Sequence, residues 1–207
     1  MMNAEKIPDI IIGRLPVYLR ALQRLAEKGI QTTSSQELGE IVGISAAQIR
    51  KDISQFGEFG KQGTGYSIPF LIDRLRDILK VNRNWEVAIV GVGDIGHALA
   101  RYNGFENRGF HISMVFDNDP RKIGQKVGDF EILDTAGMVE KLKQQKIKVV
   151  MLTVPAVVAQ EIADQLVKAG IKAILNYAPI SLNVPGNVRV QYIDPVSHLQ
   201  RMTYYLD

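Results

Sequence analysis

The apolar positions along the chain fall into two textures. Up to about residue 83 they recur at helical spacing; beyond it they gather into short continuous runs separated by helical patterns. Residues 1–30 are expected to be helical. Leu15, Leu19, Leu22 and Leu25 recur every three or four positions, Pro8 fits a first turn, and Gly29 is a stop. Pro16 either kinks this helix or starts a second one.

Ser34 with Glu37 makes a capping box that opens a short helix carrying Leu38, Ile41 and Val42 and ending at Gly43. Ser45 with Gln48 makes a second, opening a helix to about Phe56. Two short helices joined by Val42-Gly43-Ile44-Ser45 form a helix-turn-helix signature. Ile49 and Ile53 would face inward, leaving Ser45, Ala46, Ala47, Gln48, Arg50, Lys51 and Ser54 for a DNA groove, where small residues permit close approach and Gln, Arg and Lys donate to bases or phosphates. A plain solvated helix face reads equally well from these residues alone. The stretch from Phe56 to Tyr66, dense in glycine and aromatics, suits a hairpin wing with Lys61 and Gln62 at its tip; the alternative is an interdomain linker, which does not explain the spacing of Phe56, Phe59 and Tyr66. A further helix follows Ile68-Pro69.

From Trp85 onward, apolar runs at 87–90, 114–116, 149–154, 173–175 and 188–193 alternate with helical patterns at 95–102, 136–145 and 159–169. This predicts a doubly wound parallel sheet, with ligands at the carboxyl ends of its strands. The first run enters Gly91-Val92-Gly93-Asp94-Ile95-Gly96, the G-x-G-x-x-G spacing of a dinucleotide turn. Gly91 would turn the chain, Gly93 would admit a pyrophosphate, and Gly96 would let the following helix pack closely. Asp117 ends the second run, roughly 20 residues on, where an acid meets a ribose hydroxyl. It favours NAD(H) over NADP(H), although Arg121 and Lys122 blunt that preference; the competing role is capping a turn before Pro120. Other strand ends carry Thr153-Val154-Pro155 and Asn176-Tyr177. The segment 194–206 reads as a helix with little sheet left to cover, most simply packed on a second subunit. The division expected is 1–83, 84–193 and 194–207.

Composition narrows this picture modestly. A net charge of +3 permits nucleic-acid binding without arguing for it, and the chain has no cysteine, which excludes disulfides and thiolate sites. His97, His111 and His198 lack metal spacing, and no metal is expected. No apolar run reaches the roughly 20 residues of a membrane span.

Ser34-Ser35-Gln36-Glu37-Leu38-Gly39, Gln48-Ile49-Arg50-Lys51-Asp52-Ile53-Ser54-Gln55-Phe56-Gly57 and Gly60-Lys61-Gln62-Gly63-Thr64-Gly65-Tyr66 resemble the Rex family of redox-sensing repressors. Leu152-Thr153-Val154-Pro155 and Ile174-Leu175-Asn176-Tyr177-Ala178-Pro179 are similar to its second-half motifs. The resemblance covers nearly the whole chain. It implies a cytoplasmic homodimer with a swapped terminal helix that binds a palindromic operator with NAD+ or no ligand, and releases it with NADH. By the same resemblance Tyr102 lies near the nicotinamide, and Asp194 comes from the other subunit. Arg20 pairs with Asp194 in the DNA-competent form, and Tyr102 takes over that acid when NADH is bound. Sequence alone would make Tyr102 surface packing, Arg20 a solvated residue and Asp194 the cap of the last helix, with Pro195 at its first position, where some family members have an aromatic. Two rivals stand against a repressor: an NAD-dependent oxidoreductase, for which no substrate domain or acid–base pair is evident, and a CoA-binding module, disfavoured by Asp117 and the winged helix.

Overall fold

The computed structural model describes residues 7–57, 60–61 and 65–206. It divides into two compact units, Met1–Arg83 and Asn84–Asp207.

In the first unit α1 (Asp9–Glu27) is one continuous helix with Pro16 inside it. Ile11, Leu15, Tyr18, Leu19 and Leu22 are buried on both sides of the proline, so packing offsets the hydrogen bond that Pro16 cannot donate. After β1 (Thr32–Thr33), Ser34 caps α2 (Ser35–Val42), and both halves of its capping box form. Gly43, at φ 71°, ends the helix. Leu38 is fully buried but Ile41 is half exposed, so the inward face of α2 is narrower than its apolar content suggests. Gly39 allows the turn to close, because a Cβ there would lie 2.5 Å from the Ile44 carbonyl oxygen.

Ser45 caps α3 (Ala46–Ser54) by accepting from the Gln48 amide N–H, but the expected second capping box is only half made. The Gln48 side chain is turned instead toward the buried Asp52 carboxylate, to which its NH2 group donates at 2.7 Å, and its oxygen makes no bond back to the Ser45 N–H. The expected wing includes β2 (Gly60–Lys61) paired with β3 (Gly65–Ser67), which also pairs with β1, giving the antiparallel order β1-β3-β2. Gly65 is at φ 73°, and a Cβ there would meet the Thr33 carbonyl oxygen at 2.6 Å. Gln62, and Phe59 of the aromatic spacing, lie outside the described residues. α4 (Ile68–Leu79) packs Ile68, Leu71 and Leu75 onto the same core as α1.

The second unit contains β4 (Trp85–Val90), α5 (Asp94–Ala100), β5 (Phe110–Asp117), β6 (Lys126–Val127), β7 (Phe130–Asp134), α6 (Met138–Gln144), β8 (Val149–Leu152), α7 (Ala156–Lys168), β9 (Ala173–Asn176), β10 (Arg189–Tyr192) and α8 (Pro195–Thr203). The sheet order is β10-β9-β8-β4-β5-β7-β6, with β6 antiparallel and the rest parallel. This is the doubly wound arrangement. β4 is flanked by β5 and β8, so the strand order reverses there, where such sheets bind ligands. Burial on both faces explains the continuous apolar runs. Ala88 and Val90 join α6 and α7 in one core, while Val87 and Ile89 join Ala100 of α5 in the other.

Several bounds differ from the sequence reading, and two strands were not expected. The run 149–154 stops pairing at Leu152, because Thr153 turns back to hydrogen-bond the end of β4 and Pro155 stands at the N-cap position of α7, which starts at Ala156. The helix expected to reach Tyr102 ends at Ala100. β6 and β7 are short, and Lys126, Glu131 and Asp134 break up their apolar residues Val127, Phe130, Ile132 and Leu133, so no continuous run revealed them. α8 has no buried residue. Val196, Leu199 and Met202 are each more than half exposed.

Candidate functional site

The turn after β4 is built by its glycines. Gly91, at φ 97°, has its N–H bound to the Phe116 carbonyl at 2.8 Å, and a Cβ there would lie 2.8 Å from the Thr153 carbonyl oxygen. A Cβ on Gly96 would collide with the Gly91 carbonyl oxygen. Gly93 differs from both: nothing lies within 4 Å of the position its Cβ would take. Two glycines thus close the turn and the third leaves its backbone open. The Thr153 hydroxyl donates to the Gly91 carbonyl at 2.7 Å, fastening the turn to the end of β8.

Asp117 braces the other side. Its carboxylate is 6 % exposed and accepts from the Val92 N–H at 2.6 Å and the Asp119 N–H at 2.8 Å. The Lys122 ammonium donates to it at 3.3 Å and to the Val92 carbonyl at 3.0 Å. Burial pushes this carboxyl up, but the two N–H donors and the ammonium outweigh burial, so its pKa lies below the ordinary value. The turn-capping and loop-clasping roles therefore coexist in one residue. Beside it Arg121 pairs with Asp119, whose pKa falls to about 2 through that guanidinium and the Arg121 N–H.

Between these supports lies a groove of about 660 Å³ at the carboxyl ends of the strands. Gly91, Gly93, Asp94, Ile95, Asp117, Thr153, Val154, Pro155 and Tyr177 line it, together with Lys122 and Pro179 and with residues the sequence reading missed: Asn118, Val158, Glu161, Ile162 and Gln165. The α7 contributors Val158, Glu161, Ile162 and Gln165 recur on one helical face, which was the available signal. The lining includes the carboxyl residues Asp94, Asp117, Asp119 and Glu161 and the ammonium of Lys122; Lys122 pairs with Asp117, and Asp119 pairs with Arg121.

The remaining predicted residues lie outside the lining. Val92 is buried, with its backbone tied to Asp117, and Gly96 is buried under the turn. Asn176 is 1 % exposed and holds its own loop, bonding Ala178 N–H and the Ala178 and Ile180 carbonyls. Tyr102 is half exposed and stacks edge-on against Phe105, with ring centroids 5.0 Å apart. Asp194 caps α8 by accepting from the Val196 N–H at 3.0 Å.

In the first unit, Ser45, Ala47, Arg50, Lys51 and Ser54 are exposed on α3, with Ala46 and Gln48 half-buried. Arg50 donates to the Ser35 hydroxyl at 2.9 Å, bridging to α2, and the Ser54 hydroxyl donates to the Lys51 carbonyl. Lys61 belongs to β2. Arg20 is exposed on α1. The sequence reading assigned no role to Asp52. Its fully buried carboxylate accepts from Arg14 Nε at 2.6 Å and Nη2 at 2.7 Å, Tyr18 Oη at 2.7 Å and Gln48 Nε2 at 2.7 Å.

Residues 6–54 match the family model for a putative DNA-binding protein N-terminus, and residues 82–180 match that for a CoA binding domain. The redox-sensing transcriptional repressor Rex of Chloroflexus aggregans is 51 % identical over 100 % of this chain and 97 % of its own length. This chain belongs to the Rex family. Crystal structures of RSP, a Rex-family repressor, superpose closely. RSP with β-NAD+ and operator DNA has a TM-score of 0.92 at 38 % identity, covering 97 % of this chain and 92 % of that one. RSP with β-NADH has a TM-score of 0.89 at 36 % identity, covering 97 % and 94 %. Rex repressors are transcription regulators, which favours that class over the oxidoreductase and CoA-binding readings. Among the described residues no helix is long and apolar enough to cross a membrane, and no cluster of His, Cys, Asp or Glu could hold a metal ion.

Proposed function

We propose that this protein is a repressor that binds operator DNA through α3 and the wing, holds NAD(H) in the groove beside β4, and gives up DNA when the dinucleotide is NADH. The observation that carries the reading is the likeness, over 97 % of the chain at 38 % identity, to a repressor crystallised with both β-NAD+ and operator DNA.

The groove's chemistry fits a dinucleotide. The open backbone at Gly93, followed by Asp94 and Ile95, offers N–H groups to a pyrophosphate. Asp117 still has acceptor capacity for ribose hydroxyls, and its carboxylate at that position repels the extra phosphate of NADP(H), while the nearby Arg121 is engaged by Asp119. Thr153, Val154, Pro155 and Tyr177 form the wall left for the nicotinamide end, while Val92, Gly96 and Asn176 hold the frame. The ring is positively charged in NAD+ and neutral in NADH, which supplies a charge difference to sense.

Arg20, Tyr102 and Asp194 form the switch in this reading. Asp194 pairs with Arg20 in the DNA-competent form and with the Tyr102 hydroxyl when NADH is held. The exposed apolar side of α8 is covered by a second copy of the chain, giving a homodimer suited to a palindrome. Ser45, Ala46, Ala47, Gln48, Arg50, Lys51 and Ser54 face the DNA, with Lys61 and Gln62 on the wing. The protein works in the cytoplasm and does not turn over its ligand.

The test is a fluorescence-anisotropy titration of palindromic and random duplexes at fixed salt with NADH, NAD+ or NADPH. Selective operator binding that NADH weakens, and NAD+ and NADPH do not, is the expected result. Equal affinity for both duplexes, or indifference to NADH, contradicts the proposal.

A further inference from the structure

We propose that Asp52 is a positioning residue for operator recognition: through it Arg14 and Tyr18 of α1 set the placement of α3 and the orientation of the Gln48 amide. The inference rests on the reading of α3 as the DNA-facing helix.

The geometry is specific. A carboxylate fully removed from solvent collects four donors, all between 2.6 and 2.7 Å. Arg14 grips both oxygens with Nε and Nη2, the bidentate arrangement that fixes direction as well as distance. Tyr18 is itself fully buried and donates to Oδ2. Both donors belong to α1 and the acceptor to α3, so the network joins the main helix of the unit to the one that carries Arg50 and Lys51. Apolar contacts of Ile49 and Ile53 tolerate small sliding, whereas a bidentate ion pair does not.

The fourth donor reaches the DNA face. An ionised carboxylate only accepts, so the Gln48 amide must turn its NH2 group to Asp52 Oδ1 and its oxygen away. Gln48 is half-buried, one turn before Asp52, among the residues assigned to the groove. Its amide is therefore held in one of two otherwise similar orientations, offering an acceptor to bases that present an exocyclic amine in the major groove, adenine N6 or cytosine N4. Burial raises the Asp52 carboxyl, but Arg14, Tyr18 and Gln48 outweigh it and keep the group ionised, as this arrangement requires.

The test compares Tyr18→Phe, Arg14→Met and Gln48→Ala with the parent full-length protein. Operator and random-duplex affinities are measured by anisotropy well below each melting temperature, alongside NADH affinity and thermal unfolding. Tyr18→Phe keeps the ring's packing, and it decides the matter if Arg14→Met fails to fold. The expected result is a fall in the ratio of operator to random affinity, about threefold for Tyr18→Phe and about tenfold for folded Arg14→Met, at unchanged NADH affinity. In a Gln48→Ala background the Tyr18→Phe effect on that ratio shrinks. A role in stability alone would lower the melting temperature and leave the ratio of the folded protein unmoved; that outcome overturns the proposal. A parent protein that binds NADH but shows no preference for any operator overturns the underlying reading, and the proposal with it.

Discussion

Asp52 in the first unit and Asp117 in the second are both buried carboxylates with pKa values below the ordinary one, yet they are satisfied in different ways. Asp52 is held by side chains alone, from residues 38 and 34 positions away and from Gln48 on its own helix. Asp117 is held mainly by backbone N–H groups of the turn beside it, with Lys122 added. The first arrangement locks one helix to another, and its acceptors face inward. The second shapes a loop and leaves one side of the carboxylate on a groove. A buried charge serves as a structural bolt where its partners come from distant elements. It serves as part of a binding wall where local backbone satisfies it and a ligand can still reach it.

The largest effect that would break this contrast is on stability. Asp52→Ala leaves Arg14 and Tyr18 without their acceptor, and the first unit should lose about 3–5 kcal/mol. Denaturant unfolding should show this loss while NADH affinity stays unchanged; equal stability would reduce the network to surface decoration. Gly96→Ala comes next. Its Cβ must push aside the Gly91 carbonyl and Thr153, costing the second unit about 1–3 kcal/mol and weakening NADH binding, as calorimetry can check.

Asp117→Ala should cost NADH about 10–100-fold in affinity, or about 1.4–2.7 kcal/mol, and narrow the preference over NADPH. Unchanged binding of both dinucleotides would make Asp117 a clasp only. Lys51→Ala should weaken operator and random DNA alike, and lower the slope of log affinity against log salt by about one.

The smallest effect is with pH. Both carboxylates have depressed folded-state pKa values, so the stability they add is fully present above the unfolded value of 3.8 and is lost as pH falls below it through the folded values. Melting curves should therefore steepen their pH dependence below that point, and Asp52→Asn should flatten it.

Features written locally were legible in the chain. The glycine spacing of 91, 93 and 96 marks the turn because each steric demand falls within a few residues, and the Ser34–Glu37 box marks a helix start for the same reason. Asp117 was legible through its distance from the turn. The Asp52 network was not, since its Arg14 and Tyr18 partners meet it only after α1 has folded back on α3. Gln48 misled in the same way: its spacing from Ser45 promised a capping box, but donation of its NH2 group to the buried Asp52 carboxylate directs the side chain away from the Ser45 backbone. The α7 side of the groove was hidden because the helical pattern is read only from residue 159, which leaves out Val158, and because Ile162 looks like any apolar position of an amphipathic helix.

The central claim, that the two units are coupled through the dinucleotide, is tested most directly by measuring one linkage from both directions. Operator affinity is determined with and without saturating NADH, and NADH affinity with and without saturating operator, at the same salt and temperature. Coupling of about 1–3 kcal/mol predicts that each ligand weakens the other by the same factor, about 5–150-fold. Two ligands that bind tightly but leave each other's affinity unchanged would contradict it.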